Sequence, residues 1–207
     1  MTDETLGAAT QARMHSYRLF ALIFRREPSD VDVASLRSAG FFDLLAENGC
    51  PNHDGALLSG ELAVEFARLF LGPGEHISPH ESVHRDDPGN AQLWGAATGQ
   101  VQAFVEQLGL KYRDSFGELP DHISAELEIM ARLVEVEADA EAAGDETRQD
   151  RAIDAQKWFF GEHLGRWGTT FLKRVKAAST EAFYGGSASL AIEFLEAEAE
   201  LLVGHEA

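Results

Sequence analysis

Cysteine is nearly missing from this 207-residue chain: Cys50 stands alone, so no disulfide can close within the chain. Basic residues are scarce, 17 against 35 acids, for a formal charge of −18. Such a surface repels nucleic-acid phosphates and anionic membranes and attracts cationic partners; solubility or a salty habitat explains the same excess. No segment approaches the roughly 20 continuous apolar residues of a membrane span. The first twenty residues, MTDETLGAATQARMHSYRLF, carry acids where a signal peptide carries bases. The expectation is a cytoplasmic protein with no stable membrane insertion and no nucleic-acid partner. Glycine-rich phosphate loops and the G-x-S-x-G nucleophile elbow are also lacking, which leaves no catalytic constellation of those kinds.

Strand-like alternation is rare, and apolar residues recur at three and four instead. The chain reads as all-α, a single domain over 1–207. The spacing predicts helices over Thr5–Phe24, with Leu6, Met14, Tyr17, Leu19 and Phe20 among its apolar positions, then Val33–Ser38, Phe41–Glu47 and Gly55–Leu71. The Gly55–Leu71 helix carries Leu58, Leu62, Phe66 and Leu69 on one stripe. Further helices follow over Ala91–Leu108, Asp121–Ala143, Glu146–Leu164, Trp167–Ala177 and Glu181–Val203. Between the fourth and fifth lies a break in which Gly72, Pro73, Gly74, Pro79, Pro88 and Gly89 cluster. A loop of that length inside one domain is functional or disordered, and here it reads as a long ordered central loop.

That loop contains PHESVH, so His80-Glu81-Ser82-Val83-His84 satisfies the H-E-x-x-H pattern of zinc hydrolases. The chemistry works only on a helix, where the two imidazoles share a face and the glutamate activates a metal-bound water. Pro79 stands immediately before the motif and Pro88-Gly89 closes it, leaving room for about two turns. Ser78 with Glu81 reads as a capping box for a short turn. The third ligand of the extended H-x-x-G-x-x-H form is missing, and so is the second E-x-x-H that a di-iron bundle needs. His76, His80 and His84 also form an H-x3-H-x3-H series able to bind adventitious metal. A zinc-dependent hydrolase using His80, Glu81 and His84 is the alternative reading; solvated loop histidines, with no metal or other cofactor, are the expectation.

A second informative stretch is GELPDHISAELEIM, Gly117–Met130. Pro120 and Asp121 open a helix, with Asp121 as the N-cap candidate. At about 100° per residue, Ile123, Leu127, Ile129, Met130, Leu133, Val134 and Val136 share one arc, and Glu128, Arg132, Glu135 and Asp139 take the opposite side. His122 and Glu126 fall inside the apolar arc, where ionisable groups seldom sit unpaired. Spacing alone favours a mutual hydrogen bond at the helix end; a recognition pocket at the helix N-terminus is the other reading. Arg166, Lys173, Arg174 and Lys176 form a basic stripe read as surface.

Three segments in this order resemble the TorD/DmsD/NarJ-type chaperones of molybdenum redox enzymes: ARLFLGPGEHISPHESVHRDDPG, ELPDHISAELEIMARL and WFFGEHLGRWGTTFLKRVKAASTEAFYGGSASLAIEFL. Helix one, with YRLFALIF, also fits. The resemblance implies a TorD-like helical bundle without enzymatic activity. It implies two partners: the catalytic subunit of a molybdopterin-containing oxidoreductase of the DMSO-reductase type, and that subunit's twin-arginine leader. The chaperone holds the subunit open for cofactor insertion and keeps it from premature export, as a monomer or homodimer. Carried over by position, the leader-binding residues are Leu69, Phe70, Pro79, Ser82, Pro120, Asp121 and His122; Glu81 from the loop pattern, Glu118 from its charge at the groove and Glu126 from the apolar arc complete the candidate peptide-binding set. His80 and His84 stand where many relatives carry an aromatic and a tyrosine, so that two replacements create H-E-x-x-H inside the family's loop pattern. An apolar groove edged by Asp121 and Glu118 suits a leader that is cationic at one end and apolar in its middle.

Overall fold

A computed structural model describes residues 3–50, 59–72, 75–85, 93–112 and 117–204. The expected helix starts at Gly55–Leu58 and Ala91, and Pro73, Gly74, Pro88 and Gly89, lie outside them, as does the side chain of Leu6. The described residues are helical with no strand, as the periodicity predicts. Helix α1 spans Asp3–Arg25, α2 Asp30–Ser38, α3 Phe41–Glu47 and α4 Ser59–Phe66. α4 runs directly into a π-helical turn, Ala67–Leu71. After the loop come a one-turn helix, α5 (Glu81–Arg85), then α6 (Ala96–Gln107), α7 (Ile123–Ala143), α8 (Glu146–Phe159), α9 (Gly165–Ala178) and α10 (Ala182–Leu202).

α7 is central. Its apolar arc is buried apart from the half-buried Val136, with Ile123, Met130 and Val134 fully covered. It packs along α1 on one side and α8 on the other, and α9 pairs with α10. Gly144, at φ 67°, ends α7 in the left-handed conformation that glycine adopts without steric cost. A capping box opens α2: the Ser29 N–H donates to Asp32 Oδ2 at 2.8 Å, and the Asp32 N–H to Ser29 Oγ at 3.2 Å. One hydrophobic cluster joins residues of α1, α4, α7, α9 and α10, including Tyr17, Phe24, Leu62, Phe70, Leu127, Trp167, Phe171 and Tyr184.

Two expectations are corrected. The break placed between Leu164 and Trp167 does not exist: α8 passes through a second π-helical turn, Phe160–Leu164, straight into α9. Gly165, in that expected gap, serves packing. A Cβ there would meet the Phe160 ring at 2.7 Å and the Phe160 carbonyl oxygen at 2.8 Å. The N-cap of α7 is His122, whose Nδ1 accepts the Ser124 N–H at 3.1 Å, and not Asp121.

A buried polar network ties α1, α7, α8 and α10 together. Arg13 donates to Glu198 Oε1 at 2.7 Å, Glu198 Oε2 at 2.9 Å, Glu137 at 3.1 Å and Gln156 at 2.8 Å. The Tyr17 hydroxyl donates to Glu198 at 2.8 Å, and the Gln156 amide to Glu137 at 2.8 Å. Helix periodicity cannot reveal such a network, because its members are spread over four helices, and their pairing is set only by how those helices pack.

Candidate functional site

The central loop folds back on the start of α7 through one antiparallel bridge, His80 opposite His122. The Glu81 N–H donates to the Asp121 carbonyl at 2.9 Å, and the Ile123 N–H to the Pro79 carbonyl at 2.8 Å. Upstream, the Ile77 N–H donates to the Leu69 carbonyl at 2.8 Å, one of the carbonyls that the end of the π turn leaves without an intrahelical donor. The loop is thereby stitched to α4 on one side and α7 on the other.

Below the bridge Glu81, Ser82, Asp121, Glu126 and His163 are buried, and each makes a hydrogen bond to another element. Asp121 Oδ2 accepts the Ser82 N–H at 3.0 Å, which caps the one-turn α5. Glu81 Oε2 lies 2.8 Å from His163 Nδ1, and Glu81 Oε1 accepts from Arg85, whose guanidinium also donates to the Glu162 carbonyl at 2.6 Å. Glu162 and His163 belong to the second π turn, so that turn presents a carbonyl and an imidazole to α5. Glu126 Oε2 accepts the Trp167 indole N–H at 2.9 Å. Burial, and next the nearby Glu81 carboxylate, hold the Glu126 carboxyl well above its ordinary range. The mutual His122–Glu126 hydrogen bond expected from spacing is not formed; each has a different partner.

Above the bridge a pocket of about 410 Å³ opens between the end of α1, the π turn after α4, the loop and the entry to α7. Phe66, Phe70, Leu71 and Pro79 supply its apolar wall, and Arg25, Arg26, Glu27, His80, Glu118 and His122 its polar part. Leu71 is 62% exposed there. Burial pushes the His122 imidazole down to about 3, helped by His80 and Arg25, so it is neutral. Burial also lowers His80, with Asp121 opposing and His84 assisting, and burial raises Glu118 against the attraction of Arg25.

The candidate peptide-binding residues therefore divide. Phe70, Pro79, Glu118 and His122 line the pocket. Leu69, Glu81, Ser82, Asp121 and Glu126 are buried beneath it, and Pro120 is half-buried. The groove edge is thus not Asp121, whose carboxylate is covered and engaged by Ser82; the acids at the pocket are Glu118 and Glu27. Sequence reasoning missed Arg25, Arg26, Glu27, Phe66 and Leu71. For Arg25, Arg26 and Glu27 the signal was the RREP run closing helix one, which also reads as helix-terminal charge; Phe66 read as core on the fourth helix's stripe.

H-E-x-x-H is taken apart by this geometry. His84 Nε2 lies 2.7 Å from the Ser78 carbonyl, and its ring packs on Trp167 and Phe171. His80 turns the other way, its ring edge-on to His122 at 5.1 Å. Glu81 is committed to His163 and Arg85, so it cannot act as a base beside either histidine.

Residues 34–173 match the family model described as nitrate reductase delta subunit. The chain is 31% identical to a chaperone protein TorD from Photobacterium profundum, over 70% of this chain and 66% of that protein. It is 26% identical to the TorD of Shewanella piezotolerans, over 98% of this chain and 97% of that one. With the TorD of Shewanella pealeana it shares 30% identity over 84% of this chain and 70% of that protein. A crystal structure described as that of a redox enzyme maturation protein from Archaeoglobus fulgidus shares the fold, at a TM-score of 0.59 and 23% identity over 89% of this chain and 93% of that one. The relatives are named chaperones and not enzymes, and the matched segment contains the loop, the bridge and the start of α7. By sequence and by fold, the chain belongs to the TorD/DmsD/NarJ-type family of redox-enzyme maturation chaperones.

Proposed function

We propose that this protein is a non-enzymatic chaperone, acting in the cytoplasm as one unit, for the catalytic subunit of a DMSO-reductase-type molybdoenzyme. Its grip on that client begins with the twin-arginine leader at the pocket above the His80–His122 bridge. The observation that carries the reading is the pocket's composition: a wall of Phe66, Phe70, Leu71 and Pro79 beside the carboxylates of Glu27 and Glu118. The apolar part of a leader gains by burying side chains on that wall. Its arginines gain charge-assisted hydrogen bonds from the carboxylates, within the long-range pull of a chain of net charge −18. The buried polar residues of the candidate set, Glu81, Ser82, Asp121 and Glu126, hold the loop in the shape that makes the wall.

Titration with a twin-arginine leader peptide at rising salt tests this. The Debye length is roughly 8 Å at physiological ionic strength, so affinity falls as exposed ion pairs are screened and then levels off at the apolar share. Replacing the arginine pair by lysines costs less than replacing it by glutamines. Leu71→Asp weakens binding about tenfold or more while the exposed position leaves the fold intact. Affinity unchanged by Leu71→Asp, or flat across salt and indifferent to the glutamine pair, would refute the assignment of the leader to this pocket.

A further inference from the structure

The bridge that closes the central loop also brings together three side chains that the H-E-x-x-H reading did not connect. Ligand atoms of His80, Glu118 and His122 all lie within 4.8 Å of one another. We propose that these three residues form a binding site for one divalent transition ion of the borderline class, zinc in the first place.

Four features support it. Position comes first. The paired hydrogen bonds from Glu81 N–H to the Asp121 carbonyl and from Ile123 N–H to the Pro79 carbonyl lock the His80 and His122 backbones opposite each other, so convergence of the rings is built into the fold. Orientation comes second. His80 Nδ1 lies 3.2 Å from Ser78 Oγ, and His122 Nδ1 2.8 Å from Ser124 Oγ. Each imidazole is thus held through Nδ1 by a serine hydroxyl, the arrangement by which metal-binding histidines are aimed from behind, and neither Nε2 has a hydrogen-bond partner among the described residues.

Donor chemistry comes third. Two imidazoles and a carboxylate suit zinc and its neighbours, and not calcium or magnesium, which take oxygen ligands. Access comes fourth. His122 is buried and fixed, while Glu118 is exposed and His80 half-buried, so an ion can enter from the pocket and draw the outer two inward. Tetrahedral ligands at zinc stand about 3.4 Å apart, so the contraction required is about 1 Å or slightly more.

One rearrangement is required. Ligation through His122 Nε2 puts the ring proton on Nδ1, where Ser124 Oγ accepts it. The Ser124 N–H then gives up its bond to that nitrogen. The expected affinity is therefore micromolar, below that of a fully preorganised site. Three protein ligands leave one position facing the pocket, available to a donor group of a bound partner. No hydrolytic chemistry follows, since Glu81 is buried and engaged elsewhere. The inference does not rest on leader binding.

The test is calorimetric titration of tag-free protein with zinc chloride at physiological salt, repeated with cobalt(II) to read coordination from its visible spectrum. One equivalent should bind, with a four-coordinate cobalt spectrum and a rise in melting temperature. His80→Ala and Glu118→Gln should each weaken zinc by roughly tenfold or more while leaving the ion-free melting temperature near wild type. His84→Gln should bind as wild type does. No binding, several weak equivalents indifferent to His80→Ala and Glu118→Gln, or loss in His84→Gln with retention in Glu118→Gln would each overturn the proposal. A leader titration in the presence of chelator keeps the two readings apart: leader binding without zinc binding sinks this inference alone.

Discussion

Glu65 is the residue whose removal should most clearly loosen the pocket wall without touching the pocket. It lies on α4, just before the π turn that carries Leu69, Phe70 and Leu71, and it is nearly fully buried. Its carboxylate accepts two parallel hydrogen bonds from Arg68, both at 2.7 Å, and those of the Thr180 N–H at 2.7 Å and the Thr180 hydroxyl at 3.0 Å. A longer one comes from the Glu181 N–H at 3.4 Å. Arg68 continues to the Ala178 carbonyl at 2.6 Å. One carboxylate thus pins α4 to the link between α9 and α10. Burial alone would raise its pKa, but Arg68 and the Thr180 and Glu181 donors more than offset that and bring it down to about 2 from 4.5.

A carboxylate depressed on folding contributes stability that is complete above its unfolded value and is lost as pH falls through the folded one. The window here runs from about pH 4.5 down to about 2. The difference of roughly 2.5 pKa units corresponds to about 3 kcal/mol. Since the Arg68 side chain is 44% exposed, screening brings a realistic figure to roughly 2 kcal/mol. Glu65→Gln removes the charge and turns an amide nitrogen toward donors. It should cost about 2 kcal/mol at pH 7, a drop in melting temperature of about 4–8 °C for a chain of this size. Urea unfolding at pH 7, 4 and 3 is the assay. The gap between wild type and variant should close as pH falls. A gap below about 0.5 kcal/mol at pH 7, or one that does not narrow in acid, would refute the assignment of this stability to Glu65.

Arg13→Met leaves Glu198 and Glu137 buried without their cation and should cost about 3 kcal/mol or more in chemical unfolding at neutral pH; a loss below about 1 kcal/mol would show that the network tolerates the missing cation. Gly165→Ala should destabilise, against the ordinary gain of about 1 kcal/mol when alanine replaces glycine inside a helix, because the new Cβ meets the Phe160 ring and carbonyl; a melting temperature at or above wild type would show that the π turn relaxes to accept it.

The helices were legible because burial imposes a period, and the period is written in residue type. α7 shows this best: of the arc drawn from Ile123, Ile123, Leu127, Ile129, Met130, Leu133 and Val134 are buried and Val136 is half-buried, while the small residues Ser124, Ala125 and Ala131 are buried off the arc where neighbouring elements close over them. The π turns were not legible. The Phe160–Leu164 turn carries two glycines nearby, Gly161 and Gly165, and glycine in a helical pattern reads as a stop. Only the three-dimensional distance from Gly165 to Phe160, five residues back, shows that a π turn brings those two positions into contact and that glycine is there to permit it.

The site was legible in part for a related reason. The segments carrying it could be picked out by motif, but a motif does not say which side of a backbone a side chain takes. Glu81 and His80 are adjacent, and the bridge sends Glu81 down to His163 while His80 faces His122. The same bridge buries Asp121 and leaves Glu118 exposed. One pair of backbone hydrogen bonds, between residues roughly forty positions apart, thus decides which of the candidate residues support the loop and which can touch a partner. Long-range pairing of this kind has no local signature. It also explains why H-E-x-x-H carries no hydrolase here: the pattern is local, and the partner that His80 keeps comes from another segment of the chain.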